Sequence, residues 1–197
     1  MYNFSIVIPV RDEEKNIDNL VNRISSTLEK IHVTFEIIFV TDINTDDTIK
    51  LLEQHSRENQ NIKTLELSNV FGQHVAVMAG LDHCSGEYIV VMDGDLQDAP
   101  EDIPLLYNKI REGYDVVYAT KERKNGGFFR DLTSGMFNGL MNRLSDMKID
   151  SNSSMFRIMS RKALEEVTKF REHDLSLTYI FSFINLPTAT VKVGSGV

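Results

Sequence analysis

Apolar positions along the chain follow two alternating rhythms. Short, nearly unbroken apolar runs predict buried strands: FSIVIPV (4–10), FEIIFVT (35–41), IKTLEL (62–67), YIVVMD (88–93) and YDVVYAT (114–120). Between them lie stretches with helical spacing. In 12–31, Ile17, Leu20, Ile24 and Leu28 share one face and acidic residues crowd the first turn, which suits a helix N-terminus. Residues 44–59 open on polar capping residues and predict a second helix, and 72–84 a third. Residues 100–113 carry Pro near the start and Gly at the end, the usual punctuation of a helix. Strict alternation of this kind predicts an α/β fold with a mainly parallel central sheet flanked by helices.

After residue 120 the rhythm loosens. KERKNGG (121–127) is a polar loop, 128–147 a long helical stretch, SMFRIMS (154–160) a strand, and 161–169 a helix. LSLTYIFSFINLP (175–187) is strongly apolar but broken by Ser and Asn, and it predicts a buried or interfacial helix. No internal repeat or linker divides the chain. The expectation is one domain, 1–197, whose first half to about 120 binds a ligand and whose second half, 121–197, completes the site.

Composition narrows the function classes. Net charge is −8, which argues against general nucleic-acid binding because that needs a basic footprint. The single cysteine, Cys84, cannot form an internal disulfide, and it fits a reducing cytoplasm. The first apolar run is too short for a signal peptide and is followed at once by charges. No run reaches the roughly 18 apolar residues of a membrane span. His74 and His83 fall on one predicted helix and are read as packing or surface residues, and Cys84 as a buried small one.

The candidate chemistry lies in YIVVMDGDLQDAPEDIP (88–104). Asp93 and Asp95 follow an apolar strand, at the edge where open α/β sheets place their ligands. If the chain stays extended there, residues at i and i+2 point the same way, so both carboxylates face one spot and Gln97 adds an amide oxygen. Gly94 removes side-chain bulk and permits unusual backbone angles. Converging carboxylates repel unless a cation, a proton or a donor compensates, and an all-oxygen set suits Mg²⁺ or Mn²⁺. A solvated Asp-Gly-Asp turn accounts for the same tripeptide, since both residues favour turns. Asp98 and Glu101 are read as helix-start caps.

VVMDGDLQDAPEDIP resembles the MDADLQDPPE signature of polyprenyl-phosphate glycosyltransferases, the dolichol-phosphate mannose synthase-like branch of the family 2 glycosyltransferases with the GT-A fold. FSIVIPVRDEEKNI, IIFVTDINTDDT, FGQHVAVMAGLDHCSGEYIVV and REGYDVVYATKERK resemble further family motifs in the same order. The resemblance implies an inverting, metal-assisted transfer from a UDP- or GDP-sugar to a polyprenyl phosphate acceptor. It places Pro9, Arg11, Glu13 and Asp42 around the nucleoside and Asp93 by the ribose and metal. Asp95 and Gln97 become the more direct ligands of Mg²⁺ or Mn²⁺. Lys121, Arg123, Arg130 and Ser134 would hold the acceptor phosphate, with Lys124 in the same basic cluster. Arg157 would contact the diphosphate and join Asp93 and Asp95 as catalytic residues. A solvated helix start (Arg11, Glu13), a solvated basic loop (121–124) and a strand-edge charge (Arg157) are the plainer readings. The implied location is cytoplasmic, peripheral at the inner face of the membrane.

The sequence also departs from the family pattern. Thr41 stands where the first Asp of the DDGS motif is usual, and Ile43 where Gly is, so this loop must take another shape because Ile avoids positive φ. NSSMFRI (152–158) keeps Arg157 but has Asn152 and Met155 where carboxylates are usual, and Asp150 would substitute only after a loop shift. Position 11 is usually Tyr, so base stacking there would come from a guanidinium. Relatives continue with a basic segment and often membrane helices, so the acceptor half is expected to be incomplete. Three alternatives stay open: a transferase acting on a saccharide hydroxyl, a nucleotide-sugar binder without turnover, and an aspartate-nucleophile phosphatase. The phosphatase fits poorly, because its motif normally opens the chain and continues with Thr or Val rather than Leu96-Gln97.

Overall fold

The computed structural model describes residues 2–121, 155–170 and 177–194. The stretch read as a helix at 128–147 lies outside them, as do Arg123, Lys124, Arg130, Ser134, Asp150 and Asn152.

In chain order the elements are β1 (Phe4–Val10), α1 (Glu14–Lys30), β2 (Phe35–Thr41), α2 (Thr48–Glu58), β3 (Ile62–Glu66), α3 (Gln73–Asp82) and β4 (Tyr88–Val91). A 3-10 turn (Pro100–Asp102) leads into α4 (Ile103–Ile110), followed by β5 (Val116–Lys121), β6 (Arg157–Ser160), α5 (Arg161–Val167), α6 (Leu177–Phe183) and β7 (Thr188–Val193). The strands form one seven-stranded sheet in the order β3-β2-β1-β4-β6-β5-β7. β1, β2, β3 and β4 pair in parallel, as do β5 and β7, and β6 runs antiparallel to both neighbours. Every other strand therefore points the same way, as the alternating sequence predicts.

The apolar runs are unbroken because the sheet is covered on both faces. Phe4, Ile6, Ile8 and Val10 of β1 face one layer, where Ile17, Leu20 and Ile24 of α1, Leu52 of α2 and Leu106 of α4 pack. Val7 of β1, with Ile38, Val40 and Val91, faces the other layer, made by Val77 and Leu81 of α3, Leu164 of α5 and Phe181 of α6. The predicted face of α1 is the buried one, with Val21 added. Phe181 and Ile180 bury α6 against the sheet while Phe183 stays exposed, so the 175–187 run is a core helix over part of its length.

Several boundaries move for local reasons. α1 begins at Glu14, not residue 12, because Asp12 holds φ 54°, outside helical space. β4 ends at Val91, and the acidic stretch leaves the ladder there. β7 is absent from the sequence reading, although Ala189, Val191 and Val193 alternate with polar residues in the strand period. Its partner is the distant β5, matched from Val116↔Thr188 to Lys121↔Val193.

Candidate functional site

β1 lies between β2 and β4 in the sheet, and the chain leaves it toward β2 on one side while β4 returns on the other. Helices diverge at such a switch point, and the carboxyl ends of the strands open into a crevice. A cleft of about 320 Å³ lies there, lined among others by Pro9, Arg11 and Glu13 after β1, Asp42 after β2, Gln73 at the start of α3, and Asp93 and Asp95 after β4. The four residues that the motif resemblance puts around a nucleoside thus share one cavity with the two carboxylates of the acidic turn.

Two helix starts are knitted together beneath this cleft. The Asp12 N–H donates to Asn44 Oδ1 at 2.8 Å, and Asp12 Oδ1 accepts from the Thr45 N–H at 2.6 Å. The Glu13 N–H donates to Thr48 Oγ1 at 2.8 Å, and the Asp47 N–H donates to Glu14 Oε2 at 3.1 Å. Orphan N–H groups at the start of α1 are thereby satisfied by the loop before α2. Asn44 also donates to the Thr41 hydroxyl at 2.7 Å and to the Asp42 carbonyl at 2.6 Å. The altered loop at 41–44 is therefore a closed turn: Thr41 is buried, Ile43 points outward at 53% exposure, and no positive φ is needed at Ile43.

Asp42 sits on this braced loop with 13% of its side chain exposed. Its Oδ1 is buried and has no hydrogen-bond partner, and Arg11 Nε stands 3.7 Å from it, beyond hydrogen-bond reach. An orphaned buried acceptor is costly and uncommon, and it marks a place where a donor fits.

The acidic turn departs from the extended course expected of it. Leu96 adopts φ 62°, a conformation a branched aliphatic side chain rarely takes, and its side chain is buried. The chain therefore folds back after Asp95. The Gln97 N–H donates to Asp95 Oδ1 at 3.0 Å, while Gln97 itself is exposed and is not among the residues lining the cleft. Gly94 does not use a positive φ. Its role is close approach, since a Cβ there would meet Val10 Cγ1 at 2.6 Å.

Asp98 and Glu101 are not helix caps. Asp98 is 1% exposed and its Oδ1 lies 3.0 Å from Lys121 Nζ, while its Oδ2 accepts a long 3.5 Å hydrogen bond from the Asp93 N–H. Glu101 accepts both Arg23 Nε at 2.9 Å and Arg23 Nη2 at 2.6 Å, tying the 3-10 turn to α1. A two-point guanidinium pair of this kind fixes geometry better than a single contact.

Asp93 carries the strongest electrostatic signal in the cleft. Burial, then the neighbouring Asp98 and Asp95, push its pKa up to about 6, while Lys121 and Arg157 pull it down. Its Oδ1 accepts a 2.6 Å hydrogen bond from Gln73 Nε2. Gln73 was not singled out from the sequence; the only sign of it was its place in the well-matched FGQHVAVMAGLDHC segment. Arg157 is 2% exposed, lies 5.2 Å over the Tyr118 ring and donates through Nε to the Met155 carbonyl at 3.0 Å. Burial lowers its pKa, opposed by Tyr118 and Asp93. It is not among the cleft-lining residues, and its charge is near enough to pull the Asp93 pKa down.

Asp93 and Asp95 line one cleft, and as a donor set they are of the kind that would hold Mg²⁺, which usually binds one or two carboxylates with substrate phosphates completing the shell. Among the described residues no group of three or more His, Cys, Asp or Glu closes on a cation by itself. His74 and His83 are both exposed, and Cys84 is partly buried with its thiol pushed up to about 12, chiefly by burial.

A mainly parallel sheet covered by helices on both faces, with a carboxylate-lined cleft at its switch point, defines an α/β protein, and comparison gives its family. The profile of Glycosyl transferase family 2 matches residues 5–168, and the chain belongs to that family. It is 37% identical over 181 residues to the uncharacterized glycosyltransferase sll0501 of Synechocystis, covering 91% of this chain and 57% of that one. It is 34% identical over 190 residues to the uncharacterized glycosyltransferase YkcC of Bacillus subtilis, covering 96% and 59%. The chain thus spans less than two thirds of the length of these relatives. Among solved structures, glucosyl-3-phosphoglycerate synthase from Mycobacterium tuberculosis with Mn²⁺, UDP and glucosyl-3-phosphoglycerate aligns with TM-score 0.71 and 21% identity, covering 100% of this chain and 71% of that one. TarS of S. aureus (residues 1–349) with UDP aligns with TM-score 0.62 and 18% identity, covering 98% and 60%. These neighbours are GT-A glycosyltransferases, and the fold is the expected one.

Proposed function

We propose that the chain is a single GT-A domain of an inverting glycosyltransferase that moves a sugar from a UDP- or GDP-sugar to a polyprenyl phosphate. Residues to about 120 bind the donor, and 121–197 belong to the acceptor side. The observation that carries this reading is one cleft with the Asp42 oxygen that lacks a hydrogen bond on one wall and the Asp93 and Asp95 carboxylates on another. Asp42 accepts a base N–H, which uracil and guanine both present beside a carbonyl. Arg11, 51% exposed, covers the base or donates to that carbonyl. Pro9 and Glu13 complete the nucleoside wall. A solved relative of the same fold holds Mn²⁺ and UDP, and another holds UDP-GlcNAc.

Asp93 and Asp95 would hold Mg²⁺ or Mn²⁺, whose chemistry is to neutralise charge on the leaving diphosphate. The acceptor oxygen forms a bond to the anomeric carbon as the bond from that carbon to the diphosphate oxygen breaks, and the nucleoside diphosphate leaves with the electron pair. A phosphate monoester with a second pKa of about 6 is already an anionic nucleophile at neutral pH, so this chemistry needs positioning rather than a base. Lys121 would supply part of that positioning with Arg123, Arg130 and Ser134, which lie outside the described residues. Among the described residues no helix is long and apolar enough to cross a membrane. A polyprenyl phosphate presents its phosphate at the membrane surface, and this reading places the transfer at the cytoplasmic face.

Calorimetry with UDP and GDP, with and without Mn²⁺, tests the donor half. Binding is expected to strengthen with Mn²⁺ and to lose that dependence in Asp95→Ala. Metal-independent binding that is unchanged in the variant would sink the assignment. Product analysis with a polyprenyl phosphate against free saccharides tests the acceptor; transfer only to the saccharides would overturn the lipid reading.

A further inference from the structure

Asp93 stands two residues beyond the end of β4, where no ladder partner fixes it. Its position is set from elsewhere. Gln73, the first residue of α3, reaches it with Nε2 2.6 Å from Oδ1, and Gln73 lines the same cleft. Gly72 precedes it at φ 85°, a conformation that favours glycine and turns the chain into α3 with Gln73 toward Asp93. α3 is itself held to the sheet by Val77 and Leu81, both buried against Val7, Ile38 and Val40.

From this geometry we infer that Gln73 is a positioning residue: its amide ties up Asp93 Oδ1, fixes the carboxylate rotamer and leaves Oδ2 as the oxygen that meets the divalent cation of the donor complex. The inference rests on the donor site proposed above. A glutamine suits the task because its NH₂ donates without adding charge to a crowded acidic turn. A lysine would compete with the cation, and a glutamate would repel the carboxylate. Partners that orient a ligand in this way typically change metal affinity by about 10- to 100-fold when removed.

The test uses the full chain with Gln73→Met, close in shape but without a donor, and Gln73→Ala as a second variant. Free Mn²⁺ is followed by electron paramagnetic resonance at saturating UDP, and UDP binding is measured separately without metal. The inference expects Mn²⁺ affinity to fall about tenfold or more in both variants, with metal-free UDP affinity unchanged. Equal losses of UDP affinity with and without metal would overturn it, because Gln73 would then touch the nucleotide directly. Unchanged Mn²⁺ affinity would overturn it as well. If the wild-type chain shows no Mn²⁺-dependent UDP binding, the donor-site reading fails instead, a result distinguishable from the variants' behaviour.

Discussion

Asp98 Oδ1 lies 3.0 Å from Lys121 Nζ, joining the turn after β4 to the last residue of β5. Asp98 is 1% exposed and the Lys121 side chain 32%, so the pair is half inside the protein. Removing one member of a buried pair is costly because the other charge stays, whereas exposed pairs are worth little. Lys121→Met is therefore expected to lower unfolding free energy by about 2 kcal/mol, between those limits. Adding Asp98→Asn should recover part of the loss, and urea denaturation of both single variants and the double variant measures it. A Lys121→Met chain as stable as wild type would show that the Asp98–Lys121 pair carries no net stability.

Asp42 should trade stability for binding. Its Oδ1 is buried without a hydrogen-bond partner and its one ion-pair contact, Arg11 at 3.7 Å, is half exposed and weak, so Asp42→Ala removes more cost than contact from the free protein. A hydrogen bond to a charged group contributes about 1.5–3 kcal/mol, so UDP affinity is expected to fall roughly ten- to hundredfold. The melting temperature should hold or rise. Calorimetry and a thermal melt on the same variant decide the matter; a large drop in melting temperature with intact UDP affinity would make Asp42 structural.

The family signature carries Ala where this chain has Gly94, and the structure gives the reason the exchange is not free. A Cβ at 94 would stand 2.6 Å from Val10 Cγ1 and 3.4 Å from the Pro9 carbonyl. Gly94→Ala is expected to destabilise by about 1–3 kcal/mol through overpacking. In combination with Val10→Ala, the loss should be smaller than the sum of the two, since the clashing methyl is gone. Strict additivity in denaturation experiments would mean that Val10 already yields to the new methyl.

Much of this fold was legible because both layers of the sheet are covered, so each core strand appears as an apolar run and each helix as a periodic stripe. The cleft residues were placed by the motif resemblance, and the parallel strands bring Pro9, Asp42 and Asp93 to one cleft at the carboxyl ends of the sheet. What escaped was set by contacts distant in sequence. Asp98 reads as a cap until β5 brings Lys121 to it, and Glu101 until α1 brings Arg23. Gln97 follows the i+2 rule on paper, and only the positive φ of Leu96 takes it out of the cleft. β7 was missed despite its alternation, because its partner β5 lies far back along the chain.

At the amino ends of the parallel strands, Glu36 of β2 is wholly buried and gathers Lys63 Nζ at 2.6 Å, Ser5 Oγ at 2.6 Å and both the N–H and hydroxyl of Ser85 at 2.7 Å. Burial pushes its pKa up, but these hydrogen bonds, led by that of Lys63, outweigh burial and hold it below the ordinary 4.5. The folded carboxylate therefore binds its proton less tightly than the unfolded one. Its contribution to stability is present above the ordinary value and is lost as pH falls through the lower, folded one. Glu36→Gln leaves the amide facing donors it cannot accept from at both atoms, and because Lys63 is 43% exposed and stays hydrated, breaking this half-buried pair is expected to cost about 2 kcal/mol at neutral pH. The gap between wild type and Glu36→Gln in urea denaturation should be widest near pH 7 and should narrow below the ordinary carboxylate pKa. Curves that stay parallel down through that range would show that Glu36 carries no pH-linked stability.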